Sequence, residues 1–467
     1  MRFSNSLRDE TILKDKMTRN KRSNDLSGLE EFLNLLHRSK EIVTIKKIVS
    51  PKYEIAAIVS RLDKGKAVLF ESIKNNKLRV TANILGTRKR IALAIGARNE
   101  DHIDERINVA VSRPITPKSS QDVIWKKKAR NLFDLPIVTH FEKDFGPYIT
   151  SSLVFVQNQE TESQNLSTHR LLRLNDTFMV IRMVEGRHLH KCYSYAKEHG
   201  EDLRVSIIIG AHPAISIASA YQASYGEDEL GIANALMGGR LLVTKAPNSG
   251  LQVPSRSEIL MEGRILLDQA KSECMVEMLR TYDMKRIQPI FQLDRIYYRD
   301  QCIYHDILPG YGEHRLLMGI PIESRIHHAV KNVVPTTENV HLTDGGCNWL
   351  HAVIQIKKRL EGEPKNAILA AFAAHPSLKM AIVVDDDIDP KDPIQVEYAI
   401  ATRCQADRDL IIVRNAKGSS LDPSSDQENL LTTKLGIDAT VSKFKEKDRF
   451  EIARIPGLEK TRLSYYL

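Results

Sequence analysis

Apolar positions along this chain recur in changing rhythms, and each change marks a boundary. Leu29, Phe32, Leu33 and Leu36 fall on one face at helical spacing. The "SGLE" that overlaps them offers a capping box, with Ser27 at N-cap and Glu30 at N3. "KAVLFESI" (66–73) has the length and content of a buried strand, and "ANILGTRKRIALAIGA" (82–97) reads as a loop at Gly86 followed by a helix. These elements predict an α/β unit.

Near Pro136 the pattern becomes β-branched and strand-like. "YITSSLVFVQ" (148–157), "HRLLRLN" (169–175), "TFMVIRMV" (177–184), "LRVSIIIGAHP" (203–213) and "RLLVTKA" (240–246) predict strands, with one helix around "AISIASAYQA" (214–223). That content predicts a β-barrel or sandwich core. From about Arg315 strands and helices alternate: 351–359, 366–375, 379–384, 393–403 and 409–415. This βαβ rhythm predicts a parallel or mixed sheet. The expected division is a basic tail (1–25), an N-terminal α/β domain (26–130), a β domain (131–314) and a C-terminal α/β domain (315–467).

Composition narrows the class. At 42% hydrophobic and 27% charged, the 467 residues describe an ordinary globular protein. No run of about 18 apolar residues occurs, so no membrane span is expected. The first residues lack an apolar signal core and include acids, which predicts a cytoplasmic location. Five cysteines lie far apart without a CxxC or zinc-like spacing, which predicts reduced, mostly buried thiols. The net charge is +9, of which residues 1–24 carry +4. No RNA-binding signature or aromatic–basic interleaving accompanies that tail, so no nucleic-acid partner is expected. The mild remaining basicity suits an anionic small substrate or cofactor.

Several clusters carry candidate chemistry. Asp385, Asp386, Asp387 and Asp389 follow the apolar run Ala381–Val384. Four adjacent carboxylates cannot all be buried unpaired. On sequence alone they are turn and helix-capping residues at the end of a buried strand, or three of them form a Mg²⁺ site; the first is the expectation adopted. Asn165, His188 and Glu229 would supply an amide oxygen, an imidazole nitrogen and a carboxylate oxygen, a mix that suits Mn²⁺ or Mg²⁺. On spacing alone a turn Asn, a surface His and a helix-start Glu are the more ordinary roles. Arg170, Arg182 and Arg187 would grip a phosphate or carboxylate, or lie solvated at strand ends.

Several blocks resemble the UbiD-type carboxy-lyases, the family of 3-polyprenyl-4-hydroxybenzoate and ferulate-type decarboxylases. They are "LFESIKNNKLRVTANILGTRKRIALAIG", "NLSTHR", "IIIGAHPAISIASA", "VPSRSEILMEG" and "VVDDDIDPKDPIQVEYAIATRCQADRDLIIV" with "LDPS", in that order. The resemblance runs from about residue 26 to about residue 425. It implies a multidomain α+β and α/β chain: a central flavin-reductase-like split β-barrel flanked by an N-terminal α/β domain and a C-terminal α/β domain used in dimerisation. It also implies prenylated FMN supplied by a flavin prenyltransferase, a small carboxylic acid substrate, and a homodimer or larger homo-oligomer.

By motif, the resemblance makes Asn165, His188 and Glu229 ligands of Mn²⁺ or Mg²⁺. It makes Thr168, His169, Arg170, Arg182, Met183, Val184, Arg187 and His188 cofactor contacts. Arg170 is then also the arginine beside the reacting carboxylate. Carbonyls near Ala218, Ser219 and Tyr221 match a K⁺ site of some members, and Lys379 is a weaker candidate for the cofactor phosphate. In one stretch the chain departs from the family. Where the family carries "E-G-P-[FY]-G-[ED]-x-x-G-Y", this chain reads "SECMVEMLRTYD" (272–283). Glu277 aligns with the proton-donating acid, and Glu273 stands in for the first acid, one residue closer. As an i,i+4 pair the two would share a helical face, which leaves open a solvated helix with both acids outward.

Two substrate classes follow: a polyprenyl-hydroxybenzoate, or a small unsaturated acid such as anhydromevalonate phosphate of the archaeal isoprenoid route. Basicity and the lost aromatic loop favour the second. A non-catalytic member that has lost its proton donor is the competing reading, and a plain FMN-binding reductase is a more distant one.

Overall fold

The computed structural model describes residues 27–467, apart from 222 and 224. The expected basic tail therefore lies outside the described residues. Two compact units are present, one up to Ser324 and one from Arg325 onward.

The first unit begins with the helix Leu29–Arg38, which buries Leu29, Phe32, Leu33 and Leu36 as their spacing predicts. Its start corrects the expected cap. Gly28, not Ser27, occupies the N-cap position without a side-chain cap, and the buried Ser27 hydroxyl has no partner among the described residues. A four-stranded sheet follows, in the order Ile42–Ile45, Ala67–Phe70, Arg79–Ala82, Ile303–Asp306. Its last strand comes from more than 200 residues downstream and pairs parallel with Arg79–Ala82. No local pattern announces such a pairing.

The centre of the unit is a closed antiparallel barrel. Its strands are β1 (Tyr148–Gln157), β2 (Gln164–Arg173), β3 (Phe178–Ile181), β4 (Leu203–Ile209), β5 (Ile259–Glu273) and β6 (Arg286–Arg299). The order β5-β4-β1-β2-β3-β6 closes through the β5–β6 pairing. Closure removes free edges. Alternation along the strands fills two cores: Val154, Val156, Ile207 and Ile209 pack in one, while Leu153, Phe155 and Ile208 face the other with the surrounding helices. Those helices are α1 (His188–Glu198), α2 (Pro213–Ala220) and α3 (Glu229–Leu236). Trp125–Ala129 adds to the outer edge of β6.

Two expectations are corrected here. The segment Leu242–Lys245 is a strand, but it lies outside the barrel, in a three-stranded sheet with Lys118–Ser119 and Gln252–Pro254. The longest strands, β5 and β6, were not expected as strands: their polar stretches and Pro289 blur the alternation that marks a strand.

The second unit holds a five-stranded sheet ordered Thr337–Leu342, His351–Ile356, Met380–Asp385, Leu431–Ala439, Leu410–Lys417. The three central strands run parallel and the two outer strands antiparallel. Helices Glu363–Ala374 and Pro393–Arg403 lie between them in sequence, close to the expected positions. Cys192, Cys274 and Cys302 are buried, and all five cysteines are free thiols. Among the described residues no helix is long and apolar enough to cross a membrane.

Candidate active site

One strand carries most of the candidate residues. On β2 successive side chains alternate between faces, so Asn165, Ser167 and His169 line up on one side. They form a hydrogen-bonded row. Asn165 Nδ2 donates to Ser167 Oγ at 3.1 Å, and Ser167 Oγ lies 2.8 Å from His169 Nε2. His169 Nδ1 lies 2.8 Å from the Arg182 carbonyl. A carbonyl only accepts, so the neutral ring carries its proton on Nδ1 and Nε2 accepts from Ser167. Burial pushes His169 down to about 4, which keeps it neutral near pH 7.

The expected metal trio meets at one end of that row. His188 is the first residue of α1 and Glu229 the first residue of α3, where Asp228 caps the helix by accepting the Leu230 N–H at 2.9 Å. His188 Nδ1 lies 3.0 Å from Asn165 Oδ1 and 3.8 Å from Glu229 Oε1. Glu229 is buried, and its other oxygen accepts the Leu166 N–H at 3.1 Å. Burial raises the Glu229 carboxyl above its usual value, against the pull of His188 and the backbone donors. A cation would relieve that cost. Ligands bound at about 2.1 Å around a small divalent ion sit about 3 Å apart in neighbouring positions; the His188–Asn165 distance matches that spacing, and the 3.8 Å between His188 and Glu229 is wider than it. Among the described residues no group of three or more His, Cys, Asp or Glu is arranged to hold a metal. This trio has two such residues and an amide.

The remaining cofactor candidates gather nearby in sequence and structure. Arg187, exposed at the N-cap of α1, has no carboxylate partner among the described residues. Val184 is 49% exposed, Met183 is buried, and the Arg182 guanidinium donates to the Met183 carbonyl. Thr168 Oγ1 lies 2.7 Å from Ser219 Oγ of α2. The Ala218 carbonyl accepts the Tyr221 N–H at 3.1 Å. A guanidinium without a carboxylate partner among the described residues, the Asn165–His188–Glu229 trio and an exposed apolar side chain are the groups that would hold a flavin and its phosphate. Lys379 belongs to the second unit, where its amine lies 2.7 Å from Asp422 and also donates to Ser424.

Arg170, on the same strand, is the centre of a second constellation. Its Nε and Nη2 donate to Glu273 at 3.0 and 2.6 Å, its Nη1 donates to Glu277, and its Nη2 donates to Asp283 at 2.9 Å. Glu273 and Asp283 are almost fully buried, whereas the Glu277 side chain keeps 19% of its surface. Tyr148 adds a hydroxyl 3.3 Å from Glu273.

The helical alternative for 273–277 is overturned. Glu273 is the last residue of β5, opposite Arg286 of β6, and Val276 bridges to Tyr282 in the connecting turn. Barrel closure overrides the i,i+4 spacing and turns both acids onto one arginine. Asp283 was missed as a site residue, although it ends the divergent stretch. Burial alone would raise it, but Arg286 and Arg170 outweigh that and hold its carboxyl below the usual range.

The aspartate cluster of the second unit is a different object. Arg403, its side chain 1% exposed, reaches Asp385 at 2.8 Å and both oxygens of Asp387 at 2.8 and 2.7 Å. Asp385 also accepts the Val441 N–H, and Asp389 accepts the Lys391 N–H at 2.9 Å. The helix cap itself is Asp392, not one of the four.

Comparison with known proteins places these residues in context. Three family models match in succession: the 3-octaprenyl-4-hydroxybenzoate carboxy-lyase N-terminal domain (residues 33–109), its Rift-related domain (113–312) and its C-terminal domain (315–439). An anhydromevalonate phosphate decarboxylase of Methanocaldococcus jannaschii is 45% identical over 410 residues, covering 87% of this chain and 95% of that one. A protein of the same description from Methanothermobacter thermautotrophicus is 41% identical, covering 91% of this chain and all of that one. The UbiD-class enzyme HmfF from Pelotomaculum thermopropionicum, solved in complex with FMN, superposes with a TM-score of 0.91 at 37% identity over 94% of this chain and all of that one.

Proposed function

The chain belongs to the UbiD family of carboxy-lyases, and from that membership we propose that it decarboxylates anhydromevalonate phosphate with the help of prenylated FMN. The carrying observation is Arg170 held among Glu273, Glu277 and Asp283. The relatives at 41% and 45% identity support the substrate over a polyprenyl-hydroxybenzoate. The altered 272–277 stretch is the only support for a non-catalytic reading; the decarboxylase relatives and the contact of Glu277 with Arg170 speak for the enzyme.

When bound, prenylated FMN supplies the electrophilic chemistry that accepts the electron pair left as CO₂ departs. Asn165, His188 and Glu229 would hold Mn²⁺ or Mg²⁺ against its phosphate, with Arg187 as a further cation. Carbonyls of Ala218, Ser219 and Tyr221 would take K⁺. A flavin prenyltransferase would supply the cofactor, and the second unit would serve homo-oligomerisation.

Arg170 has five N–H groups, and four hydrogen bonds to its own carboxylates occupy most of them. A substrate carboxylate therefore gains a full grip on Nη1 only when Glu277 lets go. Protonation of Glu277 removes the charge that holds it there. The form of Glu277 that frees Arg170 is thus the form that can donate a proton. The bond between the α-carbon and the carboxylate carbon breaks, CO₂ leaves, and the α-carbon takes the Glu277 proton. Solvent then returns a proton to Glu277. Glu273 and Asp283 keep Arg170 charged and oriented throughout.

The test is CO₂ release from anhydromevalonate phosphate by protein co-expressed with a flavin prenyltransferase, with one deuterium entering the product in D₂O. Turnover of a polyprenyl-hydroxybenzoate in place of the phosphorylated acid would overturn the substrate.

A further inference from the structure

Beside Glu277 lies a second basic group that the decarboxylation chemistry leaves unused. The turn after Glu277 is tight: Arg280 N donates to the Glu277 carbonyl at 2.9 Å, and Glu277 N donates to the Thr281 carbonyl at 2.9 Å. Arg280 holds a left-handed backbone, φ +64°. The segment 310–315 packs directly on this turn. A Cβ on Gly310, itself at φ +75°, would meet the Glu277 carbonyl at 2.9 Å and the Arg280 side chain at 2.8 Å, so only glycine permits the approach.

Three polar side chains meet there. The Arg280 guanidinium stacks 3.9 Å from the Tyr311 ring centroid, donates to the Gly310 carbonyl at 2.9 Å and pairs with Asp63 at 3.3 Å. Its charge is matched. Arg315 differs. Its Nε donates to the Met278 carbonyl at 3.1 Å, and no carboxylate pairs with it among the described residues. Met278 is the residue after Glu277 and its N–H lies 3.4 Å from the Glu277 carboxylate, so a single residue links the candidate proton donor to the unmatched guanidinium. His314 Nδ1 accepts the Gly310 N–H at 3.1 Å, which leaves the ring proton on Nε2 as a donor. Burial, then the fields of Arg170 and Arg315, hold His314 down to about 4, so it stays a neutral donor.

We infer that Arg315, seconded by His314 and by the Arg280 turn, receives the phosphate of the substrate and selects phosphorylated over unphosphorylated unsaturated acids. The inference rests on the proposed function and names the specificity determinant of that same site. The substrate carries anions at both ends. Arg170 is committed to Glu273, Asp283 and the substrate carboxylate that replaces Glu277, so the second anion needs a cation of its own near the Glu277 turn. Arg315, in the helix Gly312–Val333, is a guanidinium hydrogen-bonded to that turn with two Nη groups uncommitted among the described residues, and a guanidinium suits a phosphate bidentately.

The experiment uses the flavin-loaded enzyme and compares anhydromevalonate phosphate with the same acid lacking its phosphate. In the unaltered enzyme kcat/KM favours the phosphorylated acid. Arg315→Gln is expected to lower that preference by about 10- to 100-fold, mostly through KM, because a charge-assisted pair made equally in ground and transition states is lost. Arg315→Lys keeps the charge, gives up the Met278 bond, and retains most of the preference. Inorganic phosphate competes with the phosphorylated acid in the unaltered enzyme and competes more weakly in Arg315→Gln. If the unaltered enzyme does not turn over the phosphorylated acid, the proposed function and this inference fall together. If it does, and Arg315→Gln keeps the full preference or loses both acids in equal measure with its flavin bound, only the inference falls. Should Arg315→Gln fail to fold, Arg315→Lys decides: loss of the preference there assigns Arg315 to shaping the turn and overturns the inference.

Discussion

Two arginines in this protein are each surrounded by acids, and the acids reach them by different routes. Arg403 faces Asp385 and Asp387, which neighbour one another in sequence, and a backbone N–H completes Asp385. Arg170 faces Glu273, Glu277 and Asp283, brought to it by the closure of a barrel. The first cluster pins the end of a parallel strand to the last residue of the helix Pro393–Arg403. The second keeps one acid, Glu277, partly exposed and held through a single guanidinium nitrogen. Acid density in the sequence is highest at the Arg403 cluster, not at the one proposed to act on the substrate. What separates the two is whether an acid can exchange its arginine for a substrate.

The comparison breaks most sharply at Glu277. Glu277→Gln keeps the size and removes the proton, so turnover is expected to fall by about 10²–10⁴-fold while flavin stays bound. Glu273→Gln costs less. Asp387→Asn leaves the rate per folded molecule unchanged. CO₂ release and deuterium incorporation read all three, and an active Glu277→Gln would erase the distinction drawn here.

Cofactor binding is the next largest effect. Glu229→Gln removes the charge that a divalent cation would neutralise, and metal and flavin content of the purified protein are expected to drop together, with metal affinity weakened about 10- to 100-fold. Full retention of both, measured by elemental analysis and flavin absorbance, would detach the trio from the cofactor.

Removing the structural arginine sharpens the other side. Arg403→Met strands Asp385, and stability is expected to fall by about 1–3 kcal/mol, since Asp387 remains half exposed and can reach water. Denaturant unfolding measures this loss. A fall in kcat without a fall in stability would show that the second cluster is not structural.

The smallest effect is a pH slope. Burial pushes His212 down to about 3, and His212 caps α2 by accepting the Ala214 N–H at 3.2 Å. Its folded value lies below its unfolded one, so the unfolded chain binds the extra proton. Its contribution is present above about pH 6.5 and is lost as pH falls toward the folded value. His212→Asn keeps a capping acceptor and does not titrate. It should flatten the decline in stability between pH 6 and pH 4 by at most about 1.4 kcal/mol per pH unit. An unchanged slope would show that the ring is not neutral in the fold.

Much of this protein was legible before its structure. The βαβ rhythm of the second unit, the helix Leu29–Arg38 and several barrel strands follow from apolar spacing, because burying one face of a helix or strand imposes that spacing on the residues themselves. The row Asn165, Ser167, His169 is equally local, since alternation on a single strand sets it. Ordered motif blocks extended this to the candidate cofactor residues.

Tertiary structure alone decided the rest. Strand Ile303–Asp306 completes a sheet begun more than 200 residues earlier, and no local pattern encodes a parallel partner at that distance. Glu273 and Glu277 have helical spacing, yet the β5–β6 pairing makes the first a strand end and the second a turn residue. Asp283 joins Arg170 only because that hairpin folds back. Arg403 meets the aspartates, and Arg315 meets no carboxylate among the described residues, for the same reason: an ion pair is a distance in space, and spacing along a chain constrains it only within one element. Periodicity therefore determined which residues are buried, and barrel closure determined which charges meet.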